Sequence, residues 1–322
     1  MAEVARRDVN KIPESGRMNG NFIKPHMEST DEKAEEKMMA SLASTPSKTD
    51  GTENSGSEVA TTEVEYIESE DLKDVEDVEN CLKALLSGLG SKDWVSVCET
   101  LNNVRRLSLY HKESIVGMLS DVLSLLVKSL KNPRSAVCKT AIMTCADIFE
   151  VYNDDIIDSL DPLLVQLLLK SSQDKRFVCE AAESALMALT NWVSAPLLLP
   201  KLQPYIKHKN PRIRAKASMC ISRSVPRLGI DGIEAFGIDN LIQIGASQLS
   251  DQLPESRDAA RALLLELQSV YEKSHITGPT AIPEEPVITS WEHFCQSKLS
   301  PLSAQAVLRV TNVAREGLVL GS

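Results

Sequence analysis

A pair of apolar residues spaced four apart recurs along the chain, each time behind a short polar stretch. The copies begin at Val97, Val137, Val178 and Ile213, so the intervals between them are 40, 41 and 35 residues. A looser copy, ESRDAARALLLEL, follows if Asp258 takes the same position, 45 residues after Ile213. Residues four apart share one face of a helix, so each copy predicts a helix with one buried face.

A leucine-rich segment precedes each copy and supplies the first helix of a pair. In the second unit its apolar residues are Val116, Leu119, Leu123, Leu126 and Leu130, spaced three or four apart. A repeated unit of this length, built from two helices, is typical of HEAT and armadillo solenoids. One pair cannot bury its own apolar face, so the pairs must stack on a shared core. The sequence therefore predicts an all-α fold, an α-solenoid of five clear helix pairs and a possible sixth, over residues 76–273.

The N-terminal part of the chain differs in composition from the repeats. Residues 1–79 carry 9 of the 35 basic and 20 of the 45 acidic residues, a net charge of −11, so the rest of the chain is near neutral and the whole net charge of −10 comes from them. This part is rich in Ser, Thr, Glu and Gly and poor in large apolar residues. Such a segment cannot bury enough surface to offset its ordering entropy. We therefore predict that residues 1–75 form a disordered acidic tail, which could compete in cis for a basic surface.

Two further segments follow the repeats. The prolines and the glycine of SHITGPTAIPEEPVIT indicate a linker over residues 274–288. The last segment, residues 289–322, predicts short helices that form either an atypical capping layer or a short binding motif. We favour a weakly docked cap that covers apolar surface.

No catalytic or metal-binding pattern is recognisable. The chain has no Gly-rich phosphate loop and no GxSxG, and its five histidines lack HExxH spacing. An acidic cluster, Asp154, Asp155, Asp158 and Asp161, lacks the glycine turn and closing Glu of a calcium loop. We interpret it as solvated charge with a helix N-cap. The sequence therefore predicts a protein that is not an enzyme and needs no cofactor or metal.

The chain also lacks the signals of a membrane or secreted protein. The longest largely apolar run, PLLVQLLL, is far shorter than the roughly 20 residues of a membrane helix. The seven cysteines form no CxxC, and most fall within apolar helical patterns, which is typical of reduced core residues in the cytosol or nucleus. We predict neither a membrane nor a nucleic-acid partner.

The turns inside the helix pairs carry the clearest functional signal. They hold Lys92 and Trp94, then Lys131 and Arg134, then Lys175 and Arg176, then Lys209 and Arg212, and finally Arg257. Equivalent turns of a solenoid line up, so these residues predict a basic edge headed by an indole. An aromatic ring with surrounding Arg and Lys is the composition of a binding hot spot, and a basic edge implies an acidic partner. The alternative is ordinary exposed charge, with Trp94 lying back over Leu89 as a local lid.

Three stretches resemble a known family. SKDWVSVCETLNNVRRL, KNPRSAVCKTAIMTCADIF and KNPRIRAKASMCISRSVPRLG are similar to the first, second and fourth layers of TOG domains, above all those of the crescerin and CLASP branch, and the resemblance spans about residues 78–272. It implies a stack of HEAT layers whose turn edge grips αβ-tubulin, usually in its curved form. Trp94, with Lys92 beside it, would anchor on β-tubulin. The supporting residues would be Lys131 and Arg134, then Lys175 and Arg176, with Lys209, Arg212 and Arg257 towards the far end of the dimer.

This resemblance implies a non-catalytic protein of the cytoplasm and the microtubule cytoskeleton that binds tubulin or microtubules and regulates their dynamics. A single TOG copy lacks the gain from linked sites, which implies weak binding or delivery by a dimerising or microtubule-bound partner protein. The alternative is a solenoid adaptor that binds proteins on its helical face and does not contact tubulin. Thr45, in TPSK, is a candidate site for a proline-directed kinase.

Overall fold

The computed structural model describes residues 66–276 and 290–319, with side chains described up to residue 274 in the first range and up to 312 in the second. Within these ranges the regular structure is helical, with short 3-10 turns and no strands. The helices are α1 (Val78–Leu89), α2 (Trp94–Tyr110), α3 (Lys112–Val116), α4 (Leu119–Leu130), α5 (Ser135–Tyr152), α6 (Leu160–Lys170), α7 (Arg176–Trp192), α8 (Ala195–Leu202), α9 (Pro211–Ser224), α10 (Gly229–Phe236), α11 (Ile238–Gln248), α12 (Pro254–Ile276), α13 (Trp291–Lys298) and α14 (Pro301–Val319). None of these helices is both long and apolar enough to cross a membrane.

Twelve of these helices form six stacked pairs, while α3 and α10 are short connectors. The pairs are α1–α2, α4–α5, α6–α7, α8–α9, α11–α12 and α13–α14. The second helix of each pair packs against the second helix of the next, in the order α2, α5, α7, α9, α12 and α14. This arrangement confirms the predicted HEAT-type α-solenoid.

The repeated apolar pairs occupy the core, as the sequence predicts. Ala141, Ala182 and Ala217 are fully buried, and their small side chains allow the second helices to approach closely. The loose fifth copy was placed in the wrong register, since Asp258 is exposed. The buried pair at the start of α12 is Ser256 and Ala260, which are the third and seventh residues of that helix, as Ile213 and Ala217 are of α9. Ser256 is tolerated in the core because its hydroxyl donates to the side chain of Gln248 at 3.0 Å.

A segment that we call the strap, residues 66–75, crosses the second helices of the first two layers. Leu72 is buried, with 2% of its surface exposed, and its carbonyl accepts a hydrogen bond from Tyr110 Oη at 2.7 Å. Ser69 Oγ donates to Asp147 Oδ1 at 2.6 Å, and the Ile67 carbonyl accepts from Arg105 at 2.7 Å. These ten residues belong to the segment predicted to be a disordered tail. They are bound instead, because they satisfy buried polar groups of α2 and α5; the rest of that tail, residues 1–65, lies outside the described residues.

The last two described helices form a sixth layer. Trp291 is almost fully buried, and its indole donates to Thr311 Oγ1 at 3.2 Å. The rings of Trp291 and Phe294 stack beside Tyr271 of α12, with centroid separations of 4.7 to 5.6 Å. This aromatic cluster docks α13 and α14 on the fifth layer. Helix α12 also runs to Ile276, past the predicted start of the linker, and residues 277–289 lie outside the described residues.

The buried cysteines give a prediction for thiol reactivity. Burial raises the pKa of Cys220 and of Cys295 to about 12, and it raises the pKa of Cys145 still further. Because the thiolate is the reactive form, these thiols should resist iodoacetamide at pH 8 while the protein is folded. Cys81 and Cys179 are only half-buried and should be alkylated first. Peptide mass spectrometry over time would measure the order, and labelling of Cys220 as fast as Cys81 would contradict it.

Candidate binding edge

Trp94 is the first residue of α2 and lies at the edge of the first layer. Its position is fixed by Asp93, whose carboxylate accepts hydrogen bonds from the backbone N–H groups of Val95 and Ser96, both at 3.2 Å. The indole is half-buried, because part of it packs against the core while the rest remains accessible. Arg134 of the next layer places its guanidinium carbon 5.1 Å from the ring centroid. The ring is thus held between the core and a cation, with a free portion at the edge.

The KNPR sequence occurs in the second and fourth turns, and in both its Asn side chain accepts a hydrogen bond from the backbone two residues later. Asn132 Oδ1 accepts from the backbone N–H of Arg134 at 2.9 Å, and Asn210 Oδ1 accepts from that of Arg212 at 2.9 Å. The intervening proline has no backbone N–H to lose and suits the start of a helix. Each motif therefore begins a second helix and leaves an exposed arginine at the turn.

Polar contacts join successive turns across the layers. Lys175 Nζ donates to Ser135 Oγ at 3.0 Å, Arg212 to Asp174 Oδ1 at 2.6 Å, and Arg214 Nε to Asp251 Oδ2 at 2.6 Å. Together with the contact of Trp94 and Arg134, these pairs connect the first turn to the second and so on to the fifth. The five turns therefore lie in order along one side of the solenoid, which we call the binding edge (residues 90–94, 131–135, 171–176, 203–212 and 249–257).

The cations of the binding edge are not equally available. Lys92, Lys131 and Lys209 are exposed and have no ion-pair partner among the described residues. By contrast, Arg176 pairs with Glu180 at 2.7 Å, and Arg212 pairs with Asp174 at 2.6 Å.

The two paired arginines remain charged. The hydrogen bond to Glu180 raises the pKa of Arg176, and that to Asp174 raises the pKa of Arg212. Their partners are exposed, so an acidic surface could compete for either guanidinium. The edge is therefore less positive than the sequence count suggests. Among the described residues, its exposed cations without an ion pair include the three lysines and Arg134.

Arg257 lies at the end of the fifth turn, where its guanidinium is engaged by the turn itself. Its guanidinium donates to the backbone carbonyls of Asp251 and Gln252, at 2.8 and 3.0 Å, and so closes its own turn. Arg214 does the same in the fourth turn, where it donates to the carbonyl of His208 at 2.9 Å. Carbonyl groups that follow the end of a helix have no intrahelical partner, and here an arginine at the start of the next helix donates to them. Arg257 is therefore first a turn-stabilising residue.

The sequence reasoning missed the strap as a neighbour of this edge. Tyr66 lies under Lys139, with the Lys139 Nζ 4.0 Å from the ring centroid. Lys139 follows Arg134 by little more than one helical turn of α5. The available signal was Arg105, an arginine in the apolar pattern of α2 that required a buried counter-charge.

The acidic cluster at the opposite edge has structural partners. Asp154 Oδ1 accepts from the backbone N–H of Ser194 at 2.7 Å, and Asp161 pairs with Lys201 at 2.8 Å. Both contacts connect the third layer to the fourth. In the described part of the chain, no group of three or more His, Cys, Asp or Glu residues is placed to hold a metal ion.

Known proteins resemble this chain in sequence. Residues 106–275, more than half of the chain, match the model of the CLASP N-terminal family. The human TOG array regulator of axonemal microtubules protein 1 is 28% identical over 130 residues, which are 40% of this chain and only 8% of the human protein. The crescerin-like protein che-12 of Caenorhabditis elegans is 24% identical over 186 residues, 56% of this chain and 14% of that protein.

Solved structures share the fold. One of them comes from a study of the structural basis of tubulin recruitment and assembly by microtubule polymerases with TOG domain arrays. It superposes on this chain with a TM-score of 0.52 at 16% identity, and the match covers 75% of this chain and 48% of that chain. The resemblance to TOG domains inferred from three stretches of sequence is thereby confirmed. By the extent of the family match and by its stacked helix pairs, this chain belongs to the CLASP N-terminal family of TOG-type helical-repeat domains.

Proposed function

We propose that this chain binds αβ-tubulin through the binding edge and thereby regulates microtubule dynamics. The observation that carries the proposal is the pair of Trp94 and Arg134 at the head of a continuous row of turns. The relatives support the choice of partner, since the human one is a regulator of axonemal microtubules and the structural one concerns tubulin recruitment. They favour this function over that of an adaptor without tubulin contacts.

The proposed mechanism is shape recognition by an edge with two kinds of residue. The half-buried indole of Trp94 supplies apolar contact area at low entropic cost, since its position is already fixed by the core and by Arg134. The unpaired lysines, Lys92, Lys131 and Lys209, steer an acidic partner to the edge and accelerate association. An edge that fits curved tubulin better than straight tubulin shifts the polymerisation equilibrium by the difference in affinity.

This proposal describes a binding protein rather than a catalyst, located with microtubules in the cytoplasm. A single TOG-type unit gives one tubulin site, so linkage to further sites, for example through a dimerising or microtubule-bound partner protein, would be needed for high avidity. Thr45 lies outside the described residues and remains a candidate phosphorylation site.

The test is a titration of purified tubulin with the full-length protein and two double variants. Trp94→Ala with Arg134→Glu removes the head of the edge. Trp192→Ala with Arg309→Glu makes the same chemical changes elsewhere, because Trp192 ends α7 with 44% of its surface exposed and Arg309 is exposed on α14. We expect the first variant to lose most tubulin binding and the second to keep it.

Two other outcomes have distinct meanings. Equal binding by wild type and the edge variant would reject the edge as the tubulin site. No binding by any of the three proteins, at low salt and micromolar concentrations, would reject tubulin as the partner.

A further inference from the structure

Ser69 fastens the middle of the strap through a hydroxyl that both donates and accepts a hydrogen bond. Its Oγ donates to Asp147 Oδ1 at 2.6 Å and accepts from Arg105 Nη2 at 3.1 Å. The two partners belong to α5 and α2, so this one hydroxyl joins the strap to both helices beneath it. Arg105 and Asp147 form a buried ion pair, with 1% and 5% of their side chains exposed. The middle of the strap therefore rests on a pair of charges that water hardly reaches.

The rest of the strap is held by few contacts. The Ile67 carbonyl accepts a hydrogen bond from Arg105 at 2.7 Å, and the Leu72 carbonyl accepts one from Tyr110 at 2.7 Å. Of the ten residues of the strap, only Leu72 is buried. Segments with few buried apolar contacts open locally at a low cost in free energy. We therefore expect the strap to detach briefly and often while the helices beneath it stay folded.

The sequence around Ser69 is strongly acidic. Residues 66–77 hold one cation, Lys73, and six acidic residues: Glu68, Glu70, Asp71, Asp74, Glu76 and Asp77. A protein kinase binds its target serine within an extended stretch of chain, and a basic substrate groove attracts a stretch of this composition. An acidophilic serine kinase is therefore the class of enzyme that fits Ser69, whereas a kinase that selects arginine or lysine beside the serine does not fit it.

We propose that Ser69 is a phosphorylation site for an acidophilic kinase and that its phosphate keeps the strap off α2 and α5. The kinase acts on the detached strap. Ser69 Oγ attacks the γ-phosphorus of ATP, the bond from that phosphorus to the bridging oxygen breaks, ADP leaves, and the hydroxyl proton passes to the catalytic carboxylate of the kinase. This inference does not depend on tubulin binding.

The phosphate prevents the strap from rebinding because the closed site has no free donor for it. The ester oxygen of phosphoserine has no proton to donate, so the 2.6 Å contact with Asp147 would bring two anions together. Arg105 cannot compensate for this repulsion. Its guanidinium already donates to Asp147, to the Ile67 carbonyl and to Asn102 Oδ1.

A cavity beside Ser69 offers the phosphate a poor alternative. Its volume is about 260 Å³, and its charged lining residues are Lys139 and Arg105 together with Glu68 and Glu180. The two carboxylates offset the attraction of Lys139, and Arg105 is already paired. A phosphate with a charge of about −1.5 to −2 at neutral pH would therefore favour water over this cavity.

The effect of charge at Ser69 can be tested by limited proteolysis with trypsin. Trypsin cleaves an extended chain after lysine, so cleavage after Lys73 requires the strap to detach. We expect Ser69→Glu in the full-length protein to accelerate this cleavage by about tenfold or more, because a buried charge without a partner is strongly destabilising. Ser120→Glu makes the same change at an exposed position of α4 and should leave the rate unchanged. Cleavage of Ser69→Glu that is no faster than that of wild type would overturn the proposal.

Two further variants distinguish repulsion from the loss of a hydrogen bond. Ser69→Ala removes the hydroxyl without adding charge, so its cleavage should be at least about threefold slower than that of Ser69→Glu. Ser69→Glu with Asp147→Asn leaves one anion in place of two, and the introduced carboxylate can serve as the counter-charge of Arg105. We expect this double variant to be cleaved nearly as slowly as wild type. Equal rates for Ser69→Ala and Ser69→Glu, or no recovery in a double variant whose circular dichroism matches wild type, would reject electrostatic release.

The modification itself is tested with ATP and two acidophilic enzymes, a casein-type and a polo-type kinase. We expect peptide mass spectrometry of the full-length protein to locate phosphate on Ser69. Its rate should rise in Tyr110→Phe, because that variant loses the hydrogen bond to the Leu72 carbonyl and its strap detaches more often. The phosphorylated protein should then be cleaved faster after Lys73 than the unmodified protein.

The outcomes of the kinase experiment decide the two parts of the proposal separately. No phosphate on Ser69 in either protein would reject the site. Phosphate on Ser69 without faster cleavage after Lys73 would reject release of the strap. Both results leave the proposed binding of tubulin untouched, since the binding edge carries neither Ser69 nor its partners.

Discussion

Replacing Asp147 with alanine is expected to lower the free energy of unfolding by about 3–5 kcal/mol, because the buried guanidinium of Arg105 then has no counter-charge. Asp147 accepts from Arg105 Nε at 2.5 Å and from Ser69 Oγ at 2.6 Å, and both charged side chains are almost fully buried. The same change also removes a contact that holds the strap. Urea unfolding followed by circular dichroism would measure the loss as a lower midpoint.

Two variants show whether the buried charge is the cause. Asp155→Ala makes the same substitution at an exposed position and should change stability by no more than about 0.5 kcal/mol. Arg105→Met with Asp147→Leu removes both charges together. It should recover most of the loss, since an apolar pair of similar size often replaces a buried ion pair without cost. An Asp147→Ala protein as stable as Asp155→Ala would show that the pair is unimportant.

Replacing Trp94 with alanine should weaken tubulin binding by about 30-fold, because hot-spot residues contribute about 2 kcal/mol or more and 1.4 kcal/mol corresponds to a factor of ten. The loss should appear mainly as faster dissociation, since the ring supplies contact area and little charge. Substituting an unpaired lysine, as in Lys131→Ala, should instead slow association and reduce its dependence on salt. Stopped-flow or surface binding kinetics would separate the two effects.

A double-mutant cycle would show whether Trp94 and Arg134 act together. The guanidinium lies 5.1 Å from the ring centroid, a geometry worth about 0.5–1 kcal/mol at an exposed site. Because Arg134 helps to hold the ring in place, removing it already weakens the contact that Trp94 makes. We therefore expect the tubulin-binding losses for Trp94→Ala and Arg134→Ala to be non-additive by about 0.5–1 kcal/mol. Additive losses would mean that the two residues contact tubulin independently. A Trp94→Ala loss no larger than that of Trp192→Ala would remove the indole from the site.

The solenoid could be predicted from the sequence because the same buried positions recur in every helix pair and require apolar residues at a regular interval. Residues such as Ala141 and Ala182 must be small and apolar wherever second helices approach, and this requirement is visible without coordinates. The register of the fifth copy was predicted wrongly because its buried position does not carry an apolar residue. There a hydrogen bond to Gln248 satisfies Ser256 in the core, so the buried position carries a polar residue and Asp258 beside it was mistaken for the anchor.

The site could be predicted only as far as the turns. Their alignment follows from stacking, but the direction of a long side chain depends on which acceptors surround it. Arg257 turns back to two carbonyls of its own turn, and Arg212 reaches Asp174 of the previous layer. The strap was not predictable from composition, because Ile67, Ser69 and Leu72 are isolated among acidic residues. Its binding depends on Arg105 and Asp147, which come from two different helices.

Because neighbouring turns are in contact along the whole edge, a change of angle between two layers displaces the turns of distant layers. Because the turns are linked in series from Trp94 to Asp251, a small rotation between two layers is carried to every layer beyond it. Over roughly 40 Å of stack, estimated from helix spacings of about 8–10 Å, a rotation of about 5° moves the far turn by about 3 Å. That displacement is the length of a hydrogen bond. The near end of the edge would therefore tolerate partners of differing curvature, while the far end would discriminate between them.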